Sequence, residues 1–486
     1  MSNQVVVGLH LYDHDANITT YDIYTKELKY LKFERISGNK HQACLNSLDW
    51  IPYLKHLGYQ EKDVNYIFLA SFNDILNYDH SVFTKHFVNL KFRPTLVDHH
   101  LCHHLSTFSK NSLIIDGVGS QEEFISVFKN NHQIEKIYCE GDDRPFGKEL
   151  QKLWYRFGFA QENDLTVAWP PDYSGHTMAL SAFGKNNSQR LVKGMNMFLQ
   201  YAKDYEKEDN WQNDYVTSLH HYWFERFKKI LTKHFNYEDE IYISGGVGHN
   251  IIVNTLLKKN FKNIKPTPHC GDEGISIGAL VFGLEKVIGY YDYKFNFNKI
   301  SQYDENFGFA SELTIHKTAK YLSEGKIILW CQGNGEMGPR ALGNRSILYD
   351  PGKADAKEIL NDKIKKRIWF RPYGASVTLD SYKKYFELEY ESPYMLFQAK
   401  VKDCEKFKSI THHDGTCRIQ TVDESKSYFY NLLKEFEKLS GYPLLINTSC
   451  NAPGKPIVGT KQQALNMFKN SKADILVLGD TIHANN

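Results

Sequence analysis

The stretch VDHHLCHHLSTF, Val97 to Phe108, puts four histidines, His99, His100, His103 and His104, into six residues. His99 and His103 are four apart, the spacing that brings two side chains to one face of a helix, so both imidazoles can converge on one cation. Carboxylates would complete such a shell. Asp116 closes the apolar run SLIID thirteen residues beyond His103, and Asp272 heads the helix-like segment GDEGISIGAL. A mixed histidine and aspartate shell with open positions suits iron, manganese or zinc better than a closed structural site does. The same histidines also read as a polar patch paired with backbone carbonyls, and Asp116 before Gly117 also reads as the cap of a turn.

The second half of the chain carries a different chemistry. GEMGPRALGNRSILYDP sets Arg340 and Arg345 among glycines and a proline, and NDKIKKRIWFRPYGASV adds Lys363, Lys365, Lys366, Arg367 and Arg371. Guanidinium forks and ammonium groups on a glycine-supported loop suit phosphate oxygens. By itself KIKKR reads as a solvated basic face, which does not account for the single arginines of GPRALGNRS. Near the C-terminus YPLLINTSCNAPGKPIVGT runs an apolar strand into Asn447, Thr448, Ser449 and Asn451, short polar side chains able to read a carbonyl or a ribose, or simply to turn the chain. In SGGVGHN, Gly245 and Gly246 lack the Cβ that would keep a phosphate from backbone N–H groups, although such strand-to-helix turns also occur for steric reasons alone.

These residues need elements to position them. QVVVGLHLY is a β-branched apolar strand, and ITTYDIYTKELKYLKFE alternates with period two around a turn at Thr25 and Lys26, which predicts a hairpin. NSLIIDGVGS is a buried strand ending in Asp-Gly-x-Gly, so that Gly117 sits in the turn after Asp116. DEIYISGGVGHNIIVNTLLKK reads as strand, glycine turn and helix. Strands that end in glycine turns before helices predict an α/β fold. Residues 286–310 are polar, aromatic and aperiodic, and LTIHKTAKYLSEGKIILW then restarts a helix and a strand, so a domain boundary is expected near residue 305. No internal repeat is apparent.

Composition bounds the rest. A chain of 486 residues, 42% hydrophobic and 24% charged, folds into two or three domains. Its formal charge of +2, from 59 basic and 57 acidic residues, gives no electrostatic case for a nucleic-acid polymer or a membrane surface as partner. Eight cysteines without a C-x-x-C pair predict reduced thiols and no structural zinc. With no basic and apolar leader and no run near 18 apolar residues, the expected location is the cytoplasm.

Taken in order, DHHLCHH, IIDGVGS, ISGGVGHN, GDEGISIGA, GEMGPRALGNRSILYDP, KRIWFRPYGASV, DGTCRIQTVD and LLINTSCNAPGKPIV resemble the ATP-dependent O-carbamoyltransferases, with FERISGNKH and the His14–Asp15 pair extending the likeness towards the N-terminus. GEMGPRALGNRSIL is the most specific of them. The resemblance implies a transfer domain over residues 1–304, similar to threonylcarbamoyl transferase and of the actin and sugar-kinase type. It implies a second domain over residues 305–486, similar to threonylcarbamoyl-adenylate synthase (YrdC-like). In that family carbamoyl phosphate and ATP, with Mg2+, give carbamoyl adenylate at the second domain, and an acceptor hydroxyl then takes the carbamoyl group at the first.

Carried onto this chain, the resemblance implies metal ligands at His99, His103, Asp116 and Asp272, with iron expected ahead of manganese and zinc. It implies phosphate contacts from Arg340, Lys365, Arg367, Arg371 and Arg418, and carbamoyl or ribose contacts from Asn447 and Ser449. The adenylate would lie against Gly117, Gly245, Gly246 and Asn250, and His14 or Asp15 would take the acceptor's proton. The expected partner is a small hydroxyl compound, a sugar, a nucleoside or a natural product, and the expected state is a monomer or homodimer. This chain departs from the family at His176, where a lysine is usual, at His104, where a small residue is, and at Cys450, where an aromatic is. It is also shorter than many relatives. Two alternatives stand beside this reading: a carbamoyl-transferring maturation or tRNA-modifying enzyme, and a non-catalytic, metal-dependent nucleotide-binding regulator.

Overall fold

Val5–His10 (β1) is buried along its whole length, as a strand must be when helices or loops cover both of its faces. In the computed structural model, which describes residues 4–11, 14–44, 49–71, 94–117, 122–139, 145–159, 173–191, 197–289 and 300–485, β1 is the centre of a five-stranded sheet. Asn17–Asp22 (β2) and Leu28–Lys32 (β3) form the expected antiparallel hairpin beside it, with Lys26 of the turn at a positive φ of 56°. Val64–Ser71 (β4) and Thr95–Asp98 (β5) add on the other side in parallel. The sheet order is therefore β3-β2-β1-β4-β5.

A second five-stranded sheet repeats this plan. Ser112–Ile115 (β6), Glu123–Lys129 (β7) and His132–Tyr138 (β8) form an antiparallel meander, and Glu240–Ser244 (β9) and Asn263–Pro266 (β10) extend it in parallel from β6, giving the order β10-β9-β6-β7-β8. The two sheets share strand order and strand sense, a duplication that the sequence does not display. Pairing of this kind needs only strands of matching apolarity, and VVVGLH and SLII meet that need with unrelated residues.

The third sheet lies after residue 327 and has nine strands in the order β14-β15-β16-β13-β17-β12-β11-β18-β19. They are Ile328–Cys331 (β11), Arg345–Tyr349 (β12), Gly374–Thr378 (β13), Phe386–Glu387 (β14), Phe397–Val401 (β15), Thr416–Val422 (β16), Leu444–Ser449 (β17), Ile475–Leu478 (β18) and Thr481–Ala484 (β19). The sheet is mixed: β13 runs parallel to β16 but antiparallel to β17, and β11 runs parallel to β18 but antiparallel to β12. Helices Glu312–Ser323 and Ser427–Ser440 pack together on it and bury Ile315, Leu322, Phe429, Leu433 and Phe436 in its core.

Helix Ile275–Ile288 seats the Asp272 turn against the first sheet and the histidine-bearing helix. It is apolar nearly all round and packs on both β1 and helix His99–Ser106. Two glycines allow that approach. A Cβ at Gly278 would stand 1.8 Å from the Cys102 carbonyl oxygen of the neighbouring helix, and one at Gly8 would stand 2.1 Å from that of Ser276. The N-terminal end of this helix, carrying Asp272, is thereby held against the helix carrying His99 and His103. Among the described residues no helix is long and apolar enough to cross a membrane, and the eight cysteines are free thiols.

The two halves meet closely. Arg35 Nη2 donates to the Gly338 carbonyl at 3.1 Å, Asn254 Nδ2 donates to that of Leu396 at 3.1 Å, and the Gln398 N–H donates to Thr255 Oγ1 at 3.0 Å. Phe370, from the loop after the KIKKR segment, belongs to the hydrophobic core of the second sheet rather than to that of the third.

Gly278→Ala is expected to force apart the two helices that hold the histidines and Asp272. Overpacking of this kind costs about 1 to 3 kcal/mol, and thermal unfolding should show a lowered midpoint.

Candidate functional site

His99 and His103 stand one turn apart on helix His99–Ser106, whose N-cap Asp98 accepts from the Leu101 N–H. Asp116 follows β6 directly, and Asp272 opens the short turn before helix Ile275–Ile288. The fold brings all four together, buried, with one ligand atom from each lying within 4.8 Å of the others. His99 Nε2 is 2.9 Å from Asp116 Oδ2, and His103 Nε2 is 3.5 Å from both Asp116 Oδ2 and Asp272 Oδ1. Burial works to lower the His103 pKa, but hydrogen bonds with Asp116 and Asp272 outweigh it and raise it to about 10. Burial likewise works to raise Asp272, and the His103 hydrogen bond, with His14 and His99 nearby, brings it instead to about 2.

The donor set fits a divalent cation. Ser244 Oγ donates to the Cys270 carbonyl at 3.2 Å, so it accepts from His103 Nδ1–H, also at 3.2 Å, and His103 Nε2 is turned towards the two carboxylates. A metal-binding histidine is held in this way, with its outer nitrogen fixed by a hydrogen bond. A cation at the centre would take the place of the His103 proton. Asp116 is oriented similarly: its Oδ1 accepts the backbone N–H groups of Gly117 at 2.8 Å and Gly246 at 3.0 Å, which leaves Oδ2 facing the histidines. Gly117 and Gly246, expected to contact a nucleotide, therefore spend these amides on Asp116. Asn250 has a framework role too. Its Oδ1 caps helix Ile251–Asn260 by accepting from Ile252 and Val253, and its Nδ2 meets His220 Nε2, so both ends of its amide are engaged inside the fold. Gly245, at φ 90°, passes so close to β6 that a Cβ would lie 2.3 Å from the Ile115 carbonyl oxygen. Val118, Gly119 and Ser120 of the IIDGVGS motif lie outside the described residues.

His14 and Asp15 border the same pocket, and the structure divides their roles. Asp15 accepts from His14 Nδ1 at 3.0 Å, from His41 Nδ1 at 3.1 Å and from Lys32 Nζ at 2.7 Å. Burial works to raise its pKa, yet Lys32 and the two histidines hold it well below the usual carboxylate range. A carboxylate so committed is a poor base. His14 Nε2 instead lies 3.9 Å from Asp272 Oδ2 with its ring 44% exposed, so His14 is the accessible member of the pair, with Asp15 holding its Nδ1. Lys32, Glu34 and His41 were not assigned a role from sequence, although FERISGNKH contains two of them. Only the hairpin turning β3 back towards β1 reveals that they surround Asp15. The four-histidine cluster divides as well. His104 stacks on Phe128 at 4.1 Å and bonds Ser112, and His100 bonds Ser126 and Glu123, so these two support the helix rather than face the pocket.

The second candidate site lies on the third sheet. Lys365 closes a single π-turn, Asn361–Lys365, a helical irregularity frequent at functional sites. Its buried Nζ reaches four oxygens: the Ser449 carbonyl at 2.6 Å, Ser449 Oγ at 3.3 Å, the Asn451 carbonyl at 3.1 Å and Asn451 Oδ1 at 2.7 Å. Burial first, then Arg367, holds Lys365 well below the ordinary lysine value. Arg367 Nη2 donates to Thr448 Oγ1 at 3.0 Å. Burial first, and then the neighbouring charges of Arg340, Arg367 and Arg371, pushes Arg418 well below the ordinary arginine value. Among the described residues no carboxylate pairs with Lys365, Arg367 or Arg418. Cations crowded without acids are arranged for an anion. Asn447 is fully buried; its Nδ2 donates to Ala341 O, Ser376 Oγ and Gln420 Oε1, while its Oδ1 has no partner. Lys40, from the first half of the chain, adds to the positive field at Lys365, and His176 Nε2 lies 3.4 Å from Arg371 Nη1. Glu336, within GEMGPRALG, accepts the N–H groups of Asn344 and Arg345 at 3.3 Å each and closes the loop that presents Arg340.

Geometry of this kind defines an α/β protein with two charged centres, one fitted to a cation and the other to a polyanion. Residues 319–485 match the family described as carbamoyltransferase C-terminus. The chain is similar to 3'-hydroxymethylcephem-O-carbamoyltransferase of Amycolatopsis lactamdurans, 28% identical over 67% of this chain and 68% of that protein. It is also similar to nodulation protein NolNO of Sinorhizobium fredii, 32% identical over 49% of this chain but only 38% of the relative's length. Residues 319–485 thus carry the segment that the carbamoyltransferase family shares, and the chain as a whole is similar to these cephem and nodulation proteins. Among solved structures, the activator of the 2-hydroxyisocaproyl-CoA dehydratase from Clostridium difficile aligns over 59% of this chain and 96% of its own, at 9% identity and a TM-score of 0.38, a likeness too loose to argue from.

His103→Ala removes one donor of the four, and the divalent metal retained after dialysis, measured by atomic emission, is expected to fall while far-ultraviolet circular dichroism stays unchanged. Stability should also depend on pH with a definite sign. Burial lowers His10, His104 and His220 from 6.5 to about 4. The folded chain thus binds fewer protons than the unfolded chain between these values, and the stability present above pH 6.5 is lost as pH falls towards 4. Asp304, raised by burial to about 6, opposes this in part, as does His103, raised to about 10, near the upper end of the range. Denaturant midpoints measured across that range should fall with pH, less steeply in His104→Phe.

Proposed function

We propose that the chain is an O-carbamoyltransferase. In this reading residues 305–486 form carbamoyl adenylate from carbamoyl phosphate and ATP with Mg2+, and residues 1–304, of the actin and sugar-kinase type, pass the carbamoyl group to a hydroxyl of a small acceptor. The observation that carries the reading is the convergence of Arg340, Lys365, Arg367, Arg371 and Arg418, within a segment that matches the carbamoyltransferase family.

The chemistry divides accordingly. Water hydrolyses carbamoyl phosphate to carbamate and inorganic phosphate, and a carbamate oxygen then attacks the α-phosphorus of ATP as the bond to pyrophosphate breaks and pyrophosphate departs. Both reactants are polyanions, and their mutual repulsion is what the five cations offset. The rigid placement of those cations, by the Lys365 cradle and the Glu336-closed loop, spares reorganisation at the moment of reaction. Asn447 Oδ1 is left to accept from the carbamoyl amide, and Ser449 stays committed to Lys365. Residues 361–371 then serve as the phosphate-handling loop of a YrdC-like domain.

At the transfer site the acceptor oxygen attacks the carbamoyl carbon, the bond from that carbon to the phosphate oxygen breaks, and AMP leaves. His14 Nε2 takes the hydroxyl proton, with Asp15 holding Nδ1 on the far side of the ring. His99, His103, Asp116 and Asp272 would hold a divalent cation, iron ahead of manganese or zinc, which would supply Lewis acidity to the leaving phosphate or the carbonyl. Gly245 and its turn approach the adenylate, while Gly117 and Gly246 keep Asp116 in place. Direct contact between the halves suits an intermediate that water would destroy if it were released.

Incubation with ATP and carbamoyl phosphate should release pyrophosphate and inorganic phosphate together, and mass spectrometry of an added metabolite extract should show a gain of one carbamoyl group. Absence of pyrophosphate would remove the reading. Arg340→Ala should slow pyrophosphate release by about two to three orders of magnitude, the effect of losing about 2 to 4 kcal/mol of transition-state stabilisation, with the metal content of the first site unchanged.

A further inference from the structure

His249 is the last residue of the short helical turn Gly246–His249, and it reaches out of that turn with both ring nitrogens. Its Nδ1 lies 3.3 Å from Cys270 Sγ and its Nε2 lies 3.1 Å from Glu273 Oε1. Cys270 and Glu273 flank the metal-site residue Asp272 on either side. The surrounding backbone is cut to admit this bridge. A Cβ at Gly248 would stand 2.9 Å from Cys270 Sγ, and one at Gly271 would stand 2.6 Å from Glu273 Oε2 and 3.0 Å from His249 Nε2. The Gly271 N–H donates back to Glu273 Oε1 at 3.3 Å, and the Cys270 carbonyl receives Ser244 Oγ, the hydroxyl that also fixes His103.

The two stretches joined in this way have different duties in the proposed transfer site, on which this inference rests. One is the glycine turn that approaches the adenylate; the other carries a ligand of the cation. We propose that His249 is a positioning residue that locks these stretches into one unit, so that a nucleoside monophosphate at the turn and a divalent cation at Asp272 tighten each other's binding. A ligand that orders the turn fixes the His249 ring, and the ring fixes Cys270 and Glu273 on both sides of Asp272. Coupling through such a bridge is reciprocal.

The test uses the full-length protein stripped of metal. Mn(II) is titrated by calorimetry with and without saturating AMP. In the wild type AMP should lower the Mn(II) dissociation constant about five-fold or more. In His249→Leu that ratio should fall to one, with Mn(II) affinity in the absence of AMP unchanged, and Cys270→Ala, which removes one arm of the bridge, should give an intermediate ratio. A residue needed only for folding would weaken both ligands alike and leave the ratio intact. A wild-type ratio in His249→Leu, or in Cys270→Ala if the leucine variant does not fold, overturns the inference. A ratio of one in a wild type that binds both ligands overturns it as well, while the transfer site stands. A wild type that binds neither ligand removes the transfer site and this inference with it.

Discussion

Two carboxylates, Asp116 and Asp272, point at the same buried spot, and much of the first half of the chain is arranged around that fact. Leaving a buried charge without a partner costs several kcal/mol, more than the roughly 1 kcal/mol that an ordinary hydrogen bond returns. Each carboxylate is therefore heavily partnered: Asp116 by two backbone amides and His99, and Asp272 by His103 and more distantly by His99, His10 and His14. The partners come from four separate stretches of chain. Only the close seating of helix Ile275–Ile288 on β1 and on helix His99–Ser106 brings them to one point.

The third sheet presents the opposite problem. There Lys365, Arg367 and Arg418 stand without a paired carboxylate among the described residues, and neutral oxygens hold the first two in place. Lys365 is tied to four acceptors of the Ser449–Asn451 stretch, and Arg367 to a threonine hydroxyl. Neutral acceptors steady the cations without cancelling their field, so the site keeps its attraction for a polyanion. The one acid built into the loop, Glu336, is turned onto backbone amides, where it shapes the loop that carries Arg340.

What could be read from the sequence follows the range of each interaction. The pairing of His99 with His103 was legible because helical spacing is a local property, and Asp116 because it ends a buried strand. The β2–β3 hairpin and the helix after Gly245 were legible for the same reason. Arg418 came only through resemblance, since nothing around it in DGTCRIQTVD marks a phosphate ligand. The equivalence of the first two sheets stayed hidden because strand order is set by contacts between distant segments. Asn250, expected at a ligand, caps a helix: a short polar side chain after a glycine turn suits both uses, and the sequence does not show its partners. The different surroundings of His14 and Asp15 were likewise hidden, because Lys32 and His41 reach the carboxylate only in the folded chain.

The seating of Phe370 in the core of the second sheet bears on how such chains can diverge. Arg371, the next residue, owes its position to an anchor that its own sheet does not provide. A chimera that grafts the arginine-rich half of one relative onto the histidine-bearing half of another would lose that anchor unless the receiving core had a matching socket. Exchange of halves between lineages would thus require this plug and its socket to travel together.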